Sequence, residues 1–475
     1  MAIKRLFSEG SCVNQIICAL LINVPVFAYG ASMGWISPMT LLLQSDSSPS
    51  GVPLTDIEVS WLAGVAYFVG VPCDYIIAML CDKIGRKKSL LLTSLANAAS
   101  WVLLLVSTQF WALLLARAFV GFSMAGCFVT CSMYTKEISD DNIRGSLGSL
   151  LILFQTTGNL FMYIIGDMLG YHTILWICLS IPTLHIIIFM MMPESPSYLV
   201  KRKKLEEVKR VIAWLKHRKE SDSLVSAEVQ MLQKEQENDS KCSEFLLKDI
   251  FKDKVMRRAY GIAMTVTLAR EVCGAIPILN YAGEIFTIAS RDSSLILSPN
   301  QQAMLLGGVQ VAGSIIASSF IEKAGRKILF FATALISGLS MCVLASWFLA
   351  RDYGVLVPSW MPMVTMCLCI FCDSAGLAPI SLVIAGEIFS FKYRATVMAT
   401  TMATSSLVDF IQLLFFKPLA NAVGIHVAFY FFGIFCVIIS AYTLLFVPET
   451  KSRSLDDIYQ DLMKRKKKTK EIPAP

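Results

Sequence analysis

Asp82-Lys83-Ile84-Gly85-Arg86-Lys87 closes one long apolar run and opens another, and Glu322-Lys323-Ala324-Gly325-Arg326-Lys327 does the same later in the chain. Both stretches read acid, Lys, x, Gly, Arg, Lys. A polar turn that recurs between hydrophobic segments in two halves is the mark of a duplicated membrane protein. Gly permits the tight bend, and the carboxylate and guanidinium can clamp neighbouring helix ends. Lys and Arg also collect at any cytoplasmic turn. One copy would therefore report topology alone, whereas two at matching places imply a two-repeat plan.

Composition agrees. The 475 residues are 55% hydrophobic and only 16% charged, where a soluble domain carries about 25% charged residues. The net charge of +7 comes from basic loops and a basic tail and does not describe a nucleic-acid surface. Most of the fourteen cysteines fall inside apolar runs, and the stretches read as external (36–58, 168–172, 289–300 and 350–360) contain none. Buried thiols are expected, not disulfides.

Apolar runs at 13–35, 59–81, 89–107, 110–132, 145–167 and 173–192 are long enough to span a bilayer, as are those at 259–288, 301–321, 328–349, 361–389, 395–417 and 426–447. The first run is too long for a signal-peptide core, and Pro25, Gly30 and Gly34 are expected to loosen it. Short turns alternate between basic and non-basic, with Lys4 and Arg5 favouring a cytoplasmic start and Arg291 falling in an external loop. The expected fold is an all-α membrane protein of twelve transmembrane helices in two six-helix bundles, 1–192 and 259–447. A cytoplasmic linker (193–258) joins them and a cytoplasmic tail (448–475) ends the chain, so both termini are cytoplasmic. In the linker, Leu205, Val208, Val211, Ile212 and Leu215 recur at helical spacing and predict an amphipathic helix against the cytoplasmic face. In the tail, Lys464 to Lys470 would meet anionic lipid.

Pro193-Glu194-Ser195-Pro196-Ser197-Tyr198-Leu199 and Pro448-Glu449-Thr450-Lys451-Ser452-Arg453 resemble the paired signatures that follow helices six and twelve in sugar porters of the major facilitator superfamily. Arg117-x3-Gly121, Tyr134-x2-Glu137, Arg144-Gly145-x-Leu147-Gly148 and Glu387-x6-Arg394 match as well, so the resemblance covers the whole chain. Gly34-Trp35-Ile36-Ser37-Pro38 with Ser60-Trp61 is most similar to the insect branch that includes facilitated trehalose transporters. The resemblance implies the major facilitator fold and facilitative transport of a sugar, trehalose or hexose, across the plasma membrane by alternating access. A same-fold carrier of a charged or less hydroxylated solute, and a non-transporting sugar sensor, are the alternatives.

Arg86, Arg144, Arg326 and Arg394, with Glu137, Glu194, Glu387 and Glu449, lie at predicted cytoplasmic helix ends. Bidentate Arg–carboxylate pairs across the two bundles would hold the inside closed and form a cytoplasmic gate. A static role, anchoring helices, fits the same residues.

The sugar-binding pattern is where the resemblance fails. The family's helix-five Gln is Ile152 here, with Gln155 the nearest amide. The family's Gln-Gln-x-Ser-Gly-Ile-Asn of helix seven reads Arg270-Glu271-Val272-Cys273-Gly274-Ala275-Ile276. Its helix-ten Trp is Leu382, and the helix-eleven Asn-Trp is Ser405-Ser406. Each hydrogen bond left unmade in a dry site costs about 1–3 kcal/mol. Candidate substrate-binding residues are therefore Gln155, Arg270, Glu271, Asn280, Gln310 and Ser374. An ionisable pair at such depth is functional or paired: Arg270 either bonds Asp373 or Asp409 to hold the bundle together, or faces the solute. Between Val24 and Gly34 no carboxylate stands where the proton-linked members carry an Asp, which favours uniport. No metal-ligand cluster, phosphate loop or nucleophile–base pair suggests an enzyme or a cofactor. The expected partners are a small-molecule solute and the lipid bilayer, with no nucleic acid.

Overall fold

The computed structural model describes residues 11–49, 51–239, 247–289, 297–389, 391–451, 453 and 457–461. Lys4, Arg5, Arg291 and the Lys464 to Lys470 run lie outside the described residues.

Eleven helical stretches among the described residues are long and apolar enough to cross a membrane. The remaining run, the eighth (301–321), is also one helix, Pro299–Ala324, of 26 residues. Helices are the form expected, because within a bilayer each backbone N–H and C=O must be satisfied inside its own segment. In chain order the spans use α1 (Val13–Gly34) and α2 (Ile36–Leu43), α3 (Asp56–Ile84), and α4 (Arg86–Val106). Then come α5 (Phe110–Gly126) running through a π-turn, Cys127–Cys131, into α6 (Ser132–Ile138), followed by α7 (Asp141–Met168) and α8 (Tyr171–Phe189). The linker holds α9 (Pro196–Lys201), α10 (Leu205–Leu215) and α11 (Ser223–Asp239). The second set is α12 (Lys254–Glu271) and α13 (Ala275–Ala289), α14 (Pro299–Ala324), α15 (Arg326–Asp352), α16 (Met361–Cys372) with a second π-turn, Asp373–Leu377, into α17 (Ala378–Glu387), then α18 (Phe391–Val423) and α19 (Ile425–Phe446).

The first helix runs unbroken past Pro25 and Gly30, which corrects the expectation there, and ends at Gly34 as expected. Gly30 instead admits a close helix crossing: a Cβ there would lie 2.2 Å from the Gln155 carbonyl oxygen, and one at Gly158 2.2 Å from that of Phe27. Small residues let backbones approach where lipid supplies no hydrophobic drive. The seventh run is broken where Gly274 and Pro277 predict it: Gly274 takes φ +85° between α12 and α13, and α13 is itself kinked at Tyr281. The second π-turn occupies the place in the second half that the first holds in the first half.

Two compact units result. One comprises Met1–Met33, Val69–Met162 and Leu169–Glu244; the other comprises Gly34–Phe68, Tyr163–Met168 and Phe245–Pro475. In the first, α10 buries Val208, Ile212 and Ala213 against Leu199, Val200, Val225 and Val229 of its linker neighbours. Lys216 then bonds Asp140 at 2.8 Å and Glu228 at 2.7 Å, and Asn14 donates to the Trp214 carbonyl at 2.6 Å. So the amphipathic face is covered mainly by the linker's own helices. Every cysteine described is free, most of them buried.

Candidate solute site and gates

The repeated turn is a staple built twice. Gly85 and Gly325 stand at the helix starts with φ +99° and +83°, and lacking a side chain they cannot cap α4 and α15. A carboxylate from the end of the same half takes that role. Glu194 Oε1 accepts from the Arg86, Lys87 and Ser195 amides at 3.0, 3.1 and 2.9 Å. Glu449 accepts from the Arg326, Thr450 and Lys451 amides, each at 3.0 Å, and from Lys327 at 3.2 Å. A Cβ at Gly85 would sit 2.3 Å from Glu194 Oε2, so glycine supplies both the dihedral and the room. The arginines reach sideways: Arg86 to Glu137 at 2.8 Å and Arg326 to Glu387 at 3.0 Å. Ser195 and Thr450 donate their hydroxyls to Glu137 and Glu387 respectively. Burial pushes the Glu194 carboxyl above its ordinary value. For Glu449 burial acts in the same direction, but the backbone donors outweigh it and hold the group low.

Arg86 and Arg326 thus find these carboxylates inside their own halves, not across the bundles as the sequence suggested. The reason is the glycine turn, which brings the signature carboxylate of the same half into bonding range. Arg144 donates to the Ser139 carbonyl at 3.1 Å. The Arg394 side chain lies outside the described residues.

The helix-seven charges form a buried group. Arg270 bonds both Glu271 oxygens at 2.7 and 2.9 Å and approaches Asp373 at 3.7 Å. Its side chain is 27% exposed, while those of Glu271 and Asp373 are 2% and 5% exposed. Asp409 on α18 is buried as well. The Arg270 guanidinium is therefore paired, with Glu271 and Asp373 as partners. Gln412 adds a bond from its amide nitrogen to the Glu271 carbonyl at 3.0 Å.

At the opposite end of the spans from the staples, Lys417 of α18 is a lysine only 4% exposed. It bonds Gln44 at 3.0 Å and Asp56 at 3.2 Å, and forms an ion pair with Glu284 at 2.7 Å. Asn421 holds the other Asp56 oxygen at 2.8 Å, and Gln44 donates to Asp56 at 2.8 Å. Below it Ser37 accepts from the Gly283 amide at 3.1 Å and Tyr163 donates to the Leu279 carbonyl at 2.8 Å. Sequence reading missed this group because Lys417 was placed at the end of a span, where a lysine is unremarkable, whereas α18 continues to Val423.

The remaining candidates separate. Asn280 is buried, its amide nitrogen donating to the Ile276 carbonyl at 2.9 Å and its Oδ1 without a partner. Ser374 is occupied in its own helix, donating to the Ile370 carbonyl at 2.7 Å, and a Cβ on Gly313 would lie 2.3 Å from its Oγ. It marks a helix crossing. Gln310 is buried, and Gln155 is half-buried in the other unit.

Comparison with known proteins gives a family match, Sugar (and other) transporter, over residues 17–462. The chain is 25% identical over 455 residues to the facilitated trehalose transporter Tret1 of Aedes aegypti, covering 95% of this chain and 55% of that one. It is 24% identical to that of Culex quinquefasciatus, covering 86% of it. Relative to the mosquito protein from Aedes, this chain therefore spans about half the length. Among solved structures, the inward-open xylose transporter XylE from E. coli superposes with TM-score 0.75 at 16% identity, covering 94% of this chain and 99% of that one. The same symporter bound to 6-bromo-6-deoxy-D-glucose gives 0.72 at 18% identity, covering 96% of this chain and all of that one. At these identities the likeness establishes the fold: twelve helices in two six-helix bundles, the major facilitator architecture.

Proposed function

The chain belongs to the sugar (and other) transporter family, and from that premise we propose that it carries a sugar, trehalose or a hexose, down its gradient by alternating access. One observation carries the reading: the staple is built twice, once per half, in a multi-pass membrane protein whose family match runs almost end to end. Two rigid halves, each locked internally by its own Arg–carboxylate pair, are what a rocking carrier requires. Arg86, Glu137, Arg144, Glu194, Arg326, Glu387, Arg394 and Glu449 then lie at the cytoplasmic gate, stiffening the ends that meet and part. The basic residues beside both staples favour the cytoplasm for that end and for both termini, and uptake of a nutrient sugar favours the plasma membrane. Arg270, Glu271, Asn280 and Gln310, with Gln155 from the first half, are the residues proposed to line the solute path; Ser374 supports them through helix packing. The first helix lacks a carboxylate between Val24 and Gly34, which supports uniport.

Counterflow of radiolabelled trehalose and glucose in liposomes tests the reading. Saturable exchange without a proton gradient is expected. Its absence for both sugars would overturn sugar transport. The reading with a charged solute loses ground for anions, because Arg270 is already bonded by two carboxylates.

A further inference from the structure

The turn between α15 and α16, Tyr353-Gly354-Val355-Leu356-Val357-Pro358-Ser359-Trp360, carries no charge. It lies at the end of α15 opposite the Arg326 staple. Tyr353 is 80% exposed, Val355 56% and Trp360 54%, and Leu356 is fully exposed. The turn is nonetheless built. Gly354 takes φ +74° and donates its amide to the Arg351 carbonyl at 2.8 Å, while the Val355 amide donates to the Ala350 carbonyl at 3.0 Å. These two bonds close α15 as a Schellman cap. Trp347 then donates its indole N–H to the Pro358 carbonyl at 2.8 Å and fastens the returning chain to α15.

The apolar residue after such a glycine ordinarily packs back on its helix; here Val355 and Leu356 stay exposed. Contiguous exposed apolar groups mark a contact with protein or membrane. Three observations select the membrane. Trp360, Val364 and Leu368 recur every four residues along α16 and are all exposed, while Thr365, Met366 and Cys369 are buried. Because α16 belongs to a span, this stripe faces acyl chains, and the turn extends it without a charged break. Arg351, beside the turn, points away from it: the guanidinium lies 5.4 and 5.2 Å from the Trp347 and Phe348 rings and donates to the Ile288 carbonyl at 2.6 Å. Finally, residues 328–350 of α15, at ~1.5 Å each, cover ~34 Å against a hydrocarbon core of ~30 Å. The turn therefore stands at the membrane boundary, where amphipathic rings such as those of Tyr353 and Trp360 collect.

We propose that residues 353–360 are a membrane anchor. Val355 and Leu356 sink ~5–10 Å into the headgroup–acyl boundary of the leaflet at that end, between Tyr353 and Trp360 at headgroup level. The partner is the lipid layer itself and no particular headgroup, because the turn offers no charge to select one. Through the Trp347–Pro358 and Arg351–Ile288 bonds, the anchor fixes the depth at which α13, α15 and α16 meet that surface. Interfacial anchors of this type set the tilt and rotation of the spans they end.

The test uses the full chain in phosphatidylcholine nanodiscs, with Leu356→Cys and, separately, Val355→Cys carrying a bimane label. The unaltered protein taken through the same labelling supplies the blank, since Cys12, Cys342 and Cys367 are only half-buried. Ser47→Cys, in the exposed polar turn after α2 at the same end, is the control. Labels at 355 and 356 should lose most of their fluorescence to a nitroxide carried on the lipid chain near the headgroup. They should lose less to one at the chain end, and little to aqueous iodide. The label at 47 should respond to iodide and not to the lipid nitroxides. Adding Leu356→Asp to Val355→Cys should draw the tip toward water and exchange lipid quenching for iodide quenching. Iodide reaching the labels at 355 and 356 as readily as that at 47 would overturn the proposal and leave the patch to a protein partner. Protection from both quenchers would overturn it as well, because another segment or a second copy would then cover the tip. None of these readings requires flux, so the anchor stands or falls separately from the sugar-carrier reading.

Discussion

Gly85 and Gly325 show what a single residue decides. Each needs a positive φ and each leaves room for a carboxylate, so Ala at either position strains the backbone by about 1–3 kcal/mol and displaces the cap as well. Gly85→Ala and Gly325→Ala should both lower the apparent midpoint of thermal unfolding in detergent, whereas Gly148→Ala, which meets nothing within 4 Å, should not. Equal midpoints would mean that the turns carry no strain. The capping carboxylates differ in their response to acid. Glu449 is held below its ordinary value, so its stabilisation is complete above the unfolded pKa and is lost as pH falls through the folded one. Glu194 is held above its ordinary value, so acidification does not draw stability away through that group. Hydrogen exchange corrected for intrinsic rate should show the Arg326 and Lys327 amides losing protection below about pH 4, before those of Arg86 and Lys87. Loss in the reverse order would contradict the assignment. The glycines and their carboxylates were legible in the sequence because the motif is written twice; which group each carboxylate bonds was not, since a string of residues does not say whether an Arg turns to its own half or away.

Between elements, the two π-turns carry the repeat further than the motifs do. Gly126 precedes one π-turn and Gly376 lies inside the other, and a Cβ would meet Thr93 Oγ1 at 2.0 Å in one half and Thr333 Cγ2 at 2.4 Å in the other. Thr93 and Thr333 stand at the same place relative to Arg86 and Arg326, each bonding back to a carbonyl one turn earlier. A π-turn widens the helix by one residue and shifts the register of the turns after it, and in the second half it holds Asp373 beside Arg270. Gly376→Ala should therefore cost about 1–3 kcal/mol by overpacking, and Thr333→Ala on the same background should return only part of it, because the Cβ at 333 would still lie 2.8 Å away. A double-mutant cycle with no coupling would show that the crossing is slack. The spans themselves were readable from hydropathy, and the break in the seventh from Gly274 and Pro277. The π-turns were not, because a one-residue register shift leaves no periodic trace in runs that are apolar on every side.

At the scale of the whole chain, residues Gly34–Phe68 and Tyr163–Met168 belong by their contacts with the second unit although they come from the first six spans. Lys417 accounts for much of that allegiance. It is a buried cation whose partners are Gln44 and Asp56 on one side and Glu284 on its own, and Phe410 packs under Trp61 and Phe68 on the same helix faces. A lysine in this position contributes only while all of its partners stay close, since a buried charge without them is costly. A carrier must part these elements to admit solute from that end, so the group has to hold and also release. The half-exposed Asp56 side chain suits that need, because water can take over its solvation when the contact opens. Lys417→Met keeps the volume of the stem and removes the charge. It should speed deuterium uptake in peptides covering Ile36–Leu43 and residues 412–421, because it leaves Asp56 and Glu284 without their cation, while the staple peptides around Arg86 and Arg326 stay protected. If Asp56→Asn gives the same local acceleration and the double variant adds nothing further, the two residues act as one latch; protection unchanged in Lys417→Met would mean that the aromatic packing around Phe410 closes this end without it.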